Sequence, residues 1–433
     1  MKKNLFTLAL LFLFITNVFS ETVLEGALLK GKTVDDRLFY KPGETIGFEF
    51  RLEKVDSVPE GCFISWSGNG DDGFKTNGLI EGISADGRYV VSTSLQKPGF
   101  VSVKATLLDA DKKEVKTSPG KGAIRFEGGA GVEPETLAGV EEPEDFDEFW
   151  KSRKEILSSV EIKADLKEIT SKNPDKYKLY QASITCAGTR PVTGFLTIPV
   201  KTSAENKYPA RVGFHGYSTS PQRGSGLQWA GEWAITFDVN AHGYELGRDQ
   251  EYYNEFFSDK PRYAFDIEEN KNPETAYFMG MAYRVMRALE YVKSLPEWNG
   301  KDLVVTGGSQ GGLQTVWAAA LDHDVTRAEA SIPWCCDFAG PEKFGRINGW
   351  RPKYVRGLDY FDCINMAKRI PETCYFKVPR AGLGDYTCPP SGIAILFNNV
   401  KGPKEIKWVQ GSTHGYTPPQ PNQEWVFTEN VKE

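Results

Sequence analysis

Histidine is scarce in this chain: four occur in 433 residues, His215, His242, His323 and His414. Any chemistry that needs an imidazole must choose among them. Cysteine is too scattered to frame a metal site. Cys62, Cys186, Cys335, Cys336, Cys363, Cys374 and Cys388 form no Cys-x-x-Cys pair and no zinc spacing. No metal or organic cofactor is therefore implied. The odd count leaves at least one thiol unpaired, and Cys363, Cys374 and Cys388 are the pool for a disulfide. No basic run stands out, and a net charge of −6 with a pI near 5.6 excludes nucleic acid as an expected partner. Internal repeats and low-complexity tracts are absent. Past the first twenty residues, no stretch is apolar enough to span a bilayer.

Those first residues read as a cleavable export signal. Lys2 and Lys3 supply the charge, Leu5 to Val18 the apolar core, and Val-Phe-Ser the small-residue exit before Glu21. The expected location is periplasmic or extracellular, with no membrane span in the mature chain. Aromatics make up 12% of residues, which suits carbohydrate stacking, although core packing accounts for most of them.

The most informative segment is Gly307-Gly308-Ser309-Gln310-Gly311-Gly312. It follows the apolar run Leu303 to Thr306 and precedes a helical pattern, Leu313 to Leu321. A serine at the apex of such a strand–turn–helix is a nucleophile elbow. No lysine follows the glycines, so a phosphate-binding loop is excluded. A serine nucleophile needs a base, and the base needs an orienting acid. His215 and His242 precede the elbow, and His323 falls where the helix after Ser309 should end. His414, in a loop just past the strand pattern Glu405 to Val409, is the expected base. Asp385 is the expected acid, because strand Cys374 to Val378 gives way there to a Gly/Pro-rich loop. Asp359 and Asp362 are the rival acids. Two backbone donors should form an oxyanion hole: the N–H of Gln310 at the helix N-terminus, and that of Tyr217 in the His215-Gly216-Tyr217 loop.

With these residues in place, the chain resembles the acetyl xylan esterase/cephalosporin C deacetylase group, carbohydrate esterase family seven of the α/β-hydrolase superfamily. The likeness is carried by Pro143 to Trp150, Gly194 to Pro199, His215 to Tyr217, Gly307 to Gly312, Gly382 to Asp385 with Pro389-Pro390, and His414. It implies Ser309 as nucleophile, Asp385 as orienter, His414 as base, and oxyanion donors at Tyr217 and Gln310. It also implies an acetylated carbohydrate as substrate. The family often forms ring-like hexamers, which leaves a homo-oligomer open, with the added N-terminal domain able to redirect the packing. Two departures stand out. Asn240-Ala241-His242-Gly243-Tyr244 replaces the usual Arg-Gly-Gln signature, and Arg284 stands where an acidic residue is customary. A serine peptidase or broad carboxylesterase on the same fold, and a non-catalytic carbohydrate-binding protein, are the alternatives.

The expected organisation is a signal peptide over 1–20, a β-sandwich of immunoglobulin-like type over 21–127, a linker over 128–140 and an α/β-hydrolase domain with a mostly parallel sheet over 141–433. The linker is read from Gly128-Gly129-Ala130-Gly131. Asp145 with Glu148 reads as a capping box. A helix is expected over Glu274 to Ser294. The aromatic-rich stretch Pro333 to Glu372 reads as a lid.

Overall fold

The computed structural model describes residues 21–203, 205–259 and 262–431. Continuous apolar runs become strands covered on both faces. Ten strands form the main sheet. Its order from one edge is Glu424–Glu429, Lys404–Val409, Tyr375–Gly382, Arg327–Ser331, Trp298–Gly308, Tyr208–Phe214, Ile235–Asn240, Val192–Pro199, Tyr177–Ile184 and Ala164–Ile169. The six strands from Lys404–Val409 to Ile235–Asn240 run parallel, and the flanking strands pair antiparallel. The apolar runs Thr193–Pro199, Val212–His215, Ala234–Val239, Leu303–Thr306, Ala328–Ile332, Cys374–Val378 and Ile406–Val409, expected as strands, fall within a residue of seven of these. The other three, Ala164–Ile169, Tyr177–Ile184 and Glu424–Glu429, carry exposed charged side chains, so no apolar run announces them.

The chain leaves Tyr208–Phe214 for Ile235–Asn240, then returns through helix Tyr277–Ser294 to Trp298–Gly308 on the other side. That reversal opens a crevice at the carboxyl ends of Tyr208–Phe214 and Trp298–Gly308, the usual place for a ligand in such a sheet. The segments after these two strands begin with His215 and with Ser309. Helix Phe146–Ser158 starts where expected, but Asp145 makes no side-chain cap bond. Its carboxylate instead accepts the Tyr360 hydroxyl at 2.5 Å.

Two small sheets precede this body. Leu28–Thr33, Ile46–Glu53 and Arg88–Thr93 form one; Phe39–Tyr40, Arg125–Val132, Gly99–Leu108, Phe63–Gly70 and Lys75–Ile80 form the other. They share a core that includes Phe48, Phe50, Ile64, Val103 and Phe126. The expected linker start is corrected here. Gly128 to Gly131 lie inside strand Arg125–Val132, paired with Gly99–Leu108. Glycine is required there for close approach, not for flexibility. A Cβ on Gly129 would sit 2.4 Å from the Val101 carbonyl oxygen and 3.1 Å from that of Leu383.

The small sheets are joined to the body by aromatic and polar contacts. Phe39 stacks on Phe427 at 5.1 Å, and Phe100 meets Trp408 at 5.2 Å. The buried Asp71 carboxylate accepts the N–H of Phe100 on its own side and that of Ile347 in the aromatic-rich stretch, each at 2.8 Å. Gly129→Ala should therefore destabilise the fold by about 1–3 kcal/mol through overpacking. Gly122→Ala, where an added Cβ meets nothing within 4 Å, should change stability by under about 0.5 kcal/mol. Urea unfolding of the two variants checks this, and equal effects would contradict the close-packing account.

Candidate active site

Ser309 joins strand Trp298–Gly308 to helix Gln310–Leu321 with φ 56° and ψ −120°. A non-glycine residue pays strain for that conformation, so the surroundings must hold it. They do: Ser309 N–H donates to Ser331 O, and Ser309 O accepts from Leu313 and Trp334, each at 3.0 Å. The flanking glycines are sterically required. A Cβ on Gly311 would lie 2.1 Å from Phe214 O, and one on Gly307 would lie 2.4 Å from Gly311 O.

Asp385 follows strand Tyr375–Gly382 and is fully buried. Its Oδ1 accepts the N–H groups of Thr387 and Cys388 at 3.0 Å each, and its Oδ2 lies 2.9 Å from Nδ1 of His414. Three donors thus converge on one carboxylate. His414 is about a third exposed, at 32%, and with Nδ1 held by Asp385 its Nε2 is the ring nitrogen left for chemistry. Arg380 braces the same loop, reaching Thr417 at 2.6 Å and the His414 carbonyl at 3.4 Å. Among the described residues, no hydrogen bond joins Ser309 to His414. Cys388 neighbours Ser309, and Cys388, Asp385 and His414 present atoms within 4.8 Å of one another. That trio has metal-ligand spacing, and burial pushes the Cys388 thiol well above its usual range.

The rival acids lie elsewhere. Asp362 accepts N–H groups from Asp337, Phe338 and Ile364. Asp359, pushed up to about 6 by burial, takes the Tyr354 hydroxyl at 3.1 Å. His323 is exposed just past helix Gln310–Leu321. The expected disulfide pool is corrected: all seven cysteines are free thiols.

Tyr217 and Gln310 sit on the two sides of the crevice. His215 fixes the Tyr217 loop, its Nδ1 on Gly216 O at 2.7 Å and its Nε2 accepting Ala241 N–H at 3.0 Å. Sequence reading missed Tyr263. This buried tyrosine accepts Ser218 N–H at 3.1 Å and donates to Gln310 Oε1 at 2.7 Å. Its ring stacks on Tyr217 at 4.1 Å and 6°. One side chain thus ties the Tyr217 loop to the start of helix Gln310–Leu321. Trp350 meets Tyr217 edge-on at 4.6 Å and stacks on Trp334 at 5.4 Å, so part of the aromatic-rich stretch walls the crevice.

The departures from the family signature are coupled. His242 is fully buried, with Nε2 on Ser218 O at 3.0 Å and Nδ1 by Tyr277 Oη at 2.8 Å. Arg284 is buried beside it and donates to Ala241 O at 2.9 Å. Burial first, then His215 and Arg284, drive His242 well below its usual range, so it braces the loop as a neutral ring.

A family model described as acetyl xylan esterase (AXE1) matches residues 136–430. Acetyl esterase Axe7A of Xylanibacter ruminicola is 27% identical over 426 residues, covering 94% of this chain and 91% of that protein. Among solved structures, acetyl xylan esterase from Paenibacillus sp. R4 superposes with a TM-score of 0.55 at 25% identity, over 66% of this chain and 94% of that one. Acetyl xylan esterase 1 from Thermoanaerobacterium sp. JW/SL YS485 shares the fold, with a TM-score of 0.52 at 24% identity over 66% of this chain and 93% of its own.

The neutral histidines make stability depend on pH. His215 and His242 titrate from 6.5 when unfolded but are held lower in the fold, chiefly by burial. Below that value the unfolded chain binds more protons at these two rings, so their contribution to stability falls as pH drops from about 6.5 towards 5, while Asp359 and Asp362, raised by burial to about 6 and about 8, contribute in the opposite sense. Urea unfolding across that window should show that His242→Gln loses less stability, or gains more, on acidification than the unaltered protein does. An unchanged slope would contradict a neutral His242.

Proposed function

The chain belongs to the acetyl xylan esterase family and is a carboxylic ester hydrolase, and from that premise we propose an exported serine esterase that removes O-acetyl groups from xylan-type sugars. The observation that carries the mechanism is the Asp385–His414 contact at 2.9 Å beside the strained Ser309 elbow. Ser309 Oγ attacks the acetyl carbonyl while His414 Nε2 takes its proton. Asp385 holds the imidazole in the tautomer with a proton on Nδ1 and balances the imidazolium that forms. The N–H groups of Tyr217 and Gln310 face the developing oxyanion, and Gln310 adds the dipole of its helix. The sugar hydroxyl leaves with the proton from His414. Water then gives its proton to the same nitrogen and attacks the acetyl-serine, releasing acetate.

The names of the two solved relatives and the aromatic wall support an acetylated carbohydrate as substrate. Export rests on the leader pattern, which lies outside the described residues; among those, no helix is long and apolar enough to cross a membrane. The α/β-hydrolase reading of the body, placed from about 141 onward, is supported by its strand order. For the N-terminal sheets, three strands packed on five support the immunoglobulin-like reading.

Ser309→Ala should lower acetate release from acetylated xylo-oligosaccharides by at least about a thousandfold, without changing the melting temperature. Full activity in that variant would refute the nucleophile. Tyr263→Phe keeps the ring stack but loses both hydroxyl bonds. It should lower kcat about tenfold or more with KM little changed, because oxyanion contacts act in the transition state. A change in KM alone would place Tyr263 in substrate binding instead.

A further inference from the structure

The loop that carries His414 has a second face. On that side, a cleft of about 700 Å³ opens between the loop and the N-terminal sheets, lined by Leu28 to Gly31, Ile124 to Glu127, Thr413, Tyr416, Gln420 and Asn422 among others. Its volume is in the range of ligand sites. Its floor is fixed. Gln410 makes two bonds to the backbone of Gly129, both 2.9 Å, and Gln423 makes two to that of Thr33, 2.9 and 3.1 Å. We propose that this cleft is a subsite for a neutral glycan, holding a stretch of the sugar polymer away from the reacting acetyl group; the substrate assignment rests on the esterase reading above.

The chemistry of the lining points to that ligand. Tyr416 is 48% exposed and offers a ring face to a sugar. Gln420 and Asn422 are exposed amides whose side chains make no hydrogen bond to a described residue. The charges largely cancel: Lys30 pairs with Glu53 at 2.8 Å and Arg125 with Glu127 at 3.3 Å, leaving Lys54. A phosphorylated or strongly acidic ligand would find little to neutralise it. An added peptide strand is also disfavoured, because Gln423 occupies the backbone donor and acceptor of Thr33 at the end of strand Leu28–Thr33. Thr413 lines the cleft and precedes the base, and its N–H closes the turn on Tyr416 O at 2.8 Å. A chain bound here would pass beside the catalytic loop. The subsite exists only because the N-terminal sheets supply one wall.

The test uses the full chain and the variant Tyr416→Ala/Gln420→Ala, which leaves the triad and its backbone bonds untouched. Unacetylated xylo-oligosaccharides are titrated calorimetrically, and turnover is compared between long acetylated xylo-oligosaccharides and a small aryl acetate. The variant should bind the unacetylated chain at least about tenfold more weakly. It should lose a similar factor in kcat/KM on the long substrate alone. Absence of binding by the unaltered protein, equal binding by the variant, or an equal loss on both substrates would overturn the subsite. Binding that depends on Tyr416 and Gln420 without any release of acetate from the long substrate would uphold the cleft and sink the deacetylase reading.

Discussion

The backbone of strand Arg125–Val132 lies directly against the two loops that carry Asp385 and His414, and the arrangement of the site depends on that contact. Gln410 caps the backbone of Gly129 with both ends of its amide. A Cβ on Gly384 would come 2.2 Å from Glu127 O, and one on Gly129 would come 3.1 Å from Leu383 O. Such approach between backbones is open only to glycine. The acid loop and the base loop are therefore clamped from one side by the same strand. Asp71 extends the seam to Ile347, next to the aromatic wall. The N-terminal sheets back these two loops rather than hang from the body as a tethered module.

Burial sorts the few proton-active groups. His215 and His242 are consumed as neutral braces of the Tyr217 loop. His323 is exposed at a helix end far along the chain from the acid. This leaves His414, the histidine with a carboxylate on one nitrogen and the other nitrogen available. The thiols under the elbow follow the same logic. Burial raises Cys335, Cys336, Cys363 and Cys388 above their ordinary range, so they remain protonated beneath the Ser309 turn.

What could be read from the chain was what local sterics and periodicity impose. Glycines around Ser309 declare a strained turn because little else fits between Phe214 and Gly311. Apolar runs declare doubly covered strands, and the loops after two of them locate Asp385 and His414. Where one pattern serves two physical ends, reading fails. Gly128 to Gly131 look like a flexible linker, yet form a strand whose glycines allow close packing. Asp145 looks like a cap, yet a tyrosine 215 positions away claims its carboxylate. Tyr263 was illegible, since its partners Ser218 and Gln310 lie 45 and 47 positions away and only the folded chain joins them. Three outer strands escaped because charged and polar side chains interrupt their apolar residues, and two of them, Ala164–Ile169 and Glu424–Glu429, are the sheet edges.

The most direct test is to trap the covalent intermediate. The protein is mixed with an acetylated substrate, quenched in acid within the first turnover, and digested for peptide mass spectrometry. An acetyl group on the peptide containing Ser309, at Ser309 itself, is the predicted result. Acetyl found on Cys388 instead, or acetate released in a full first turnover with no acetylated peptide, would contradict a serine nucleophile presented by this elbow.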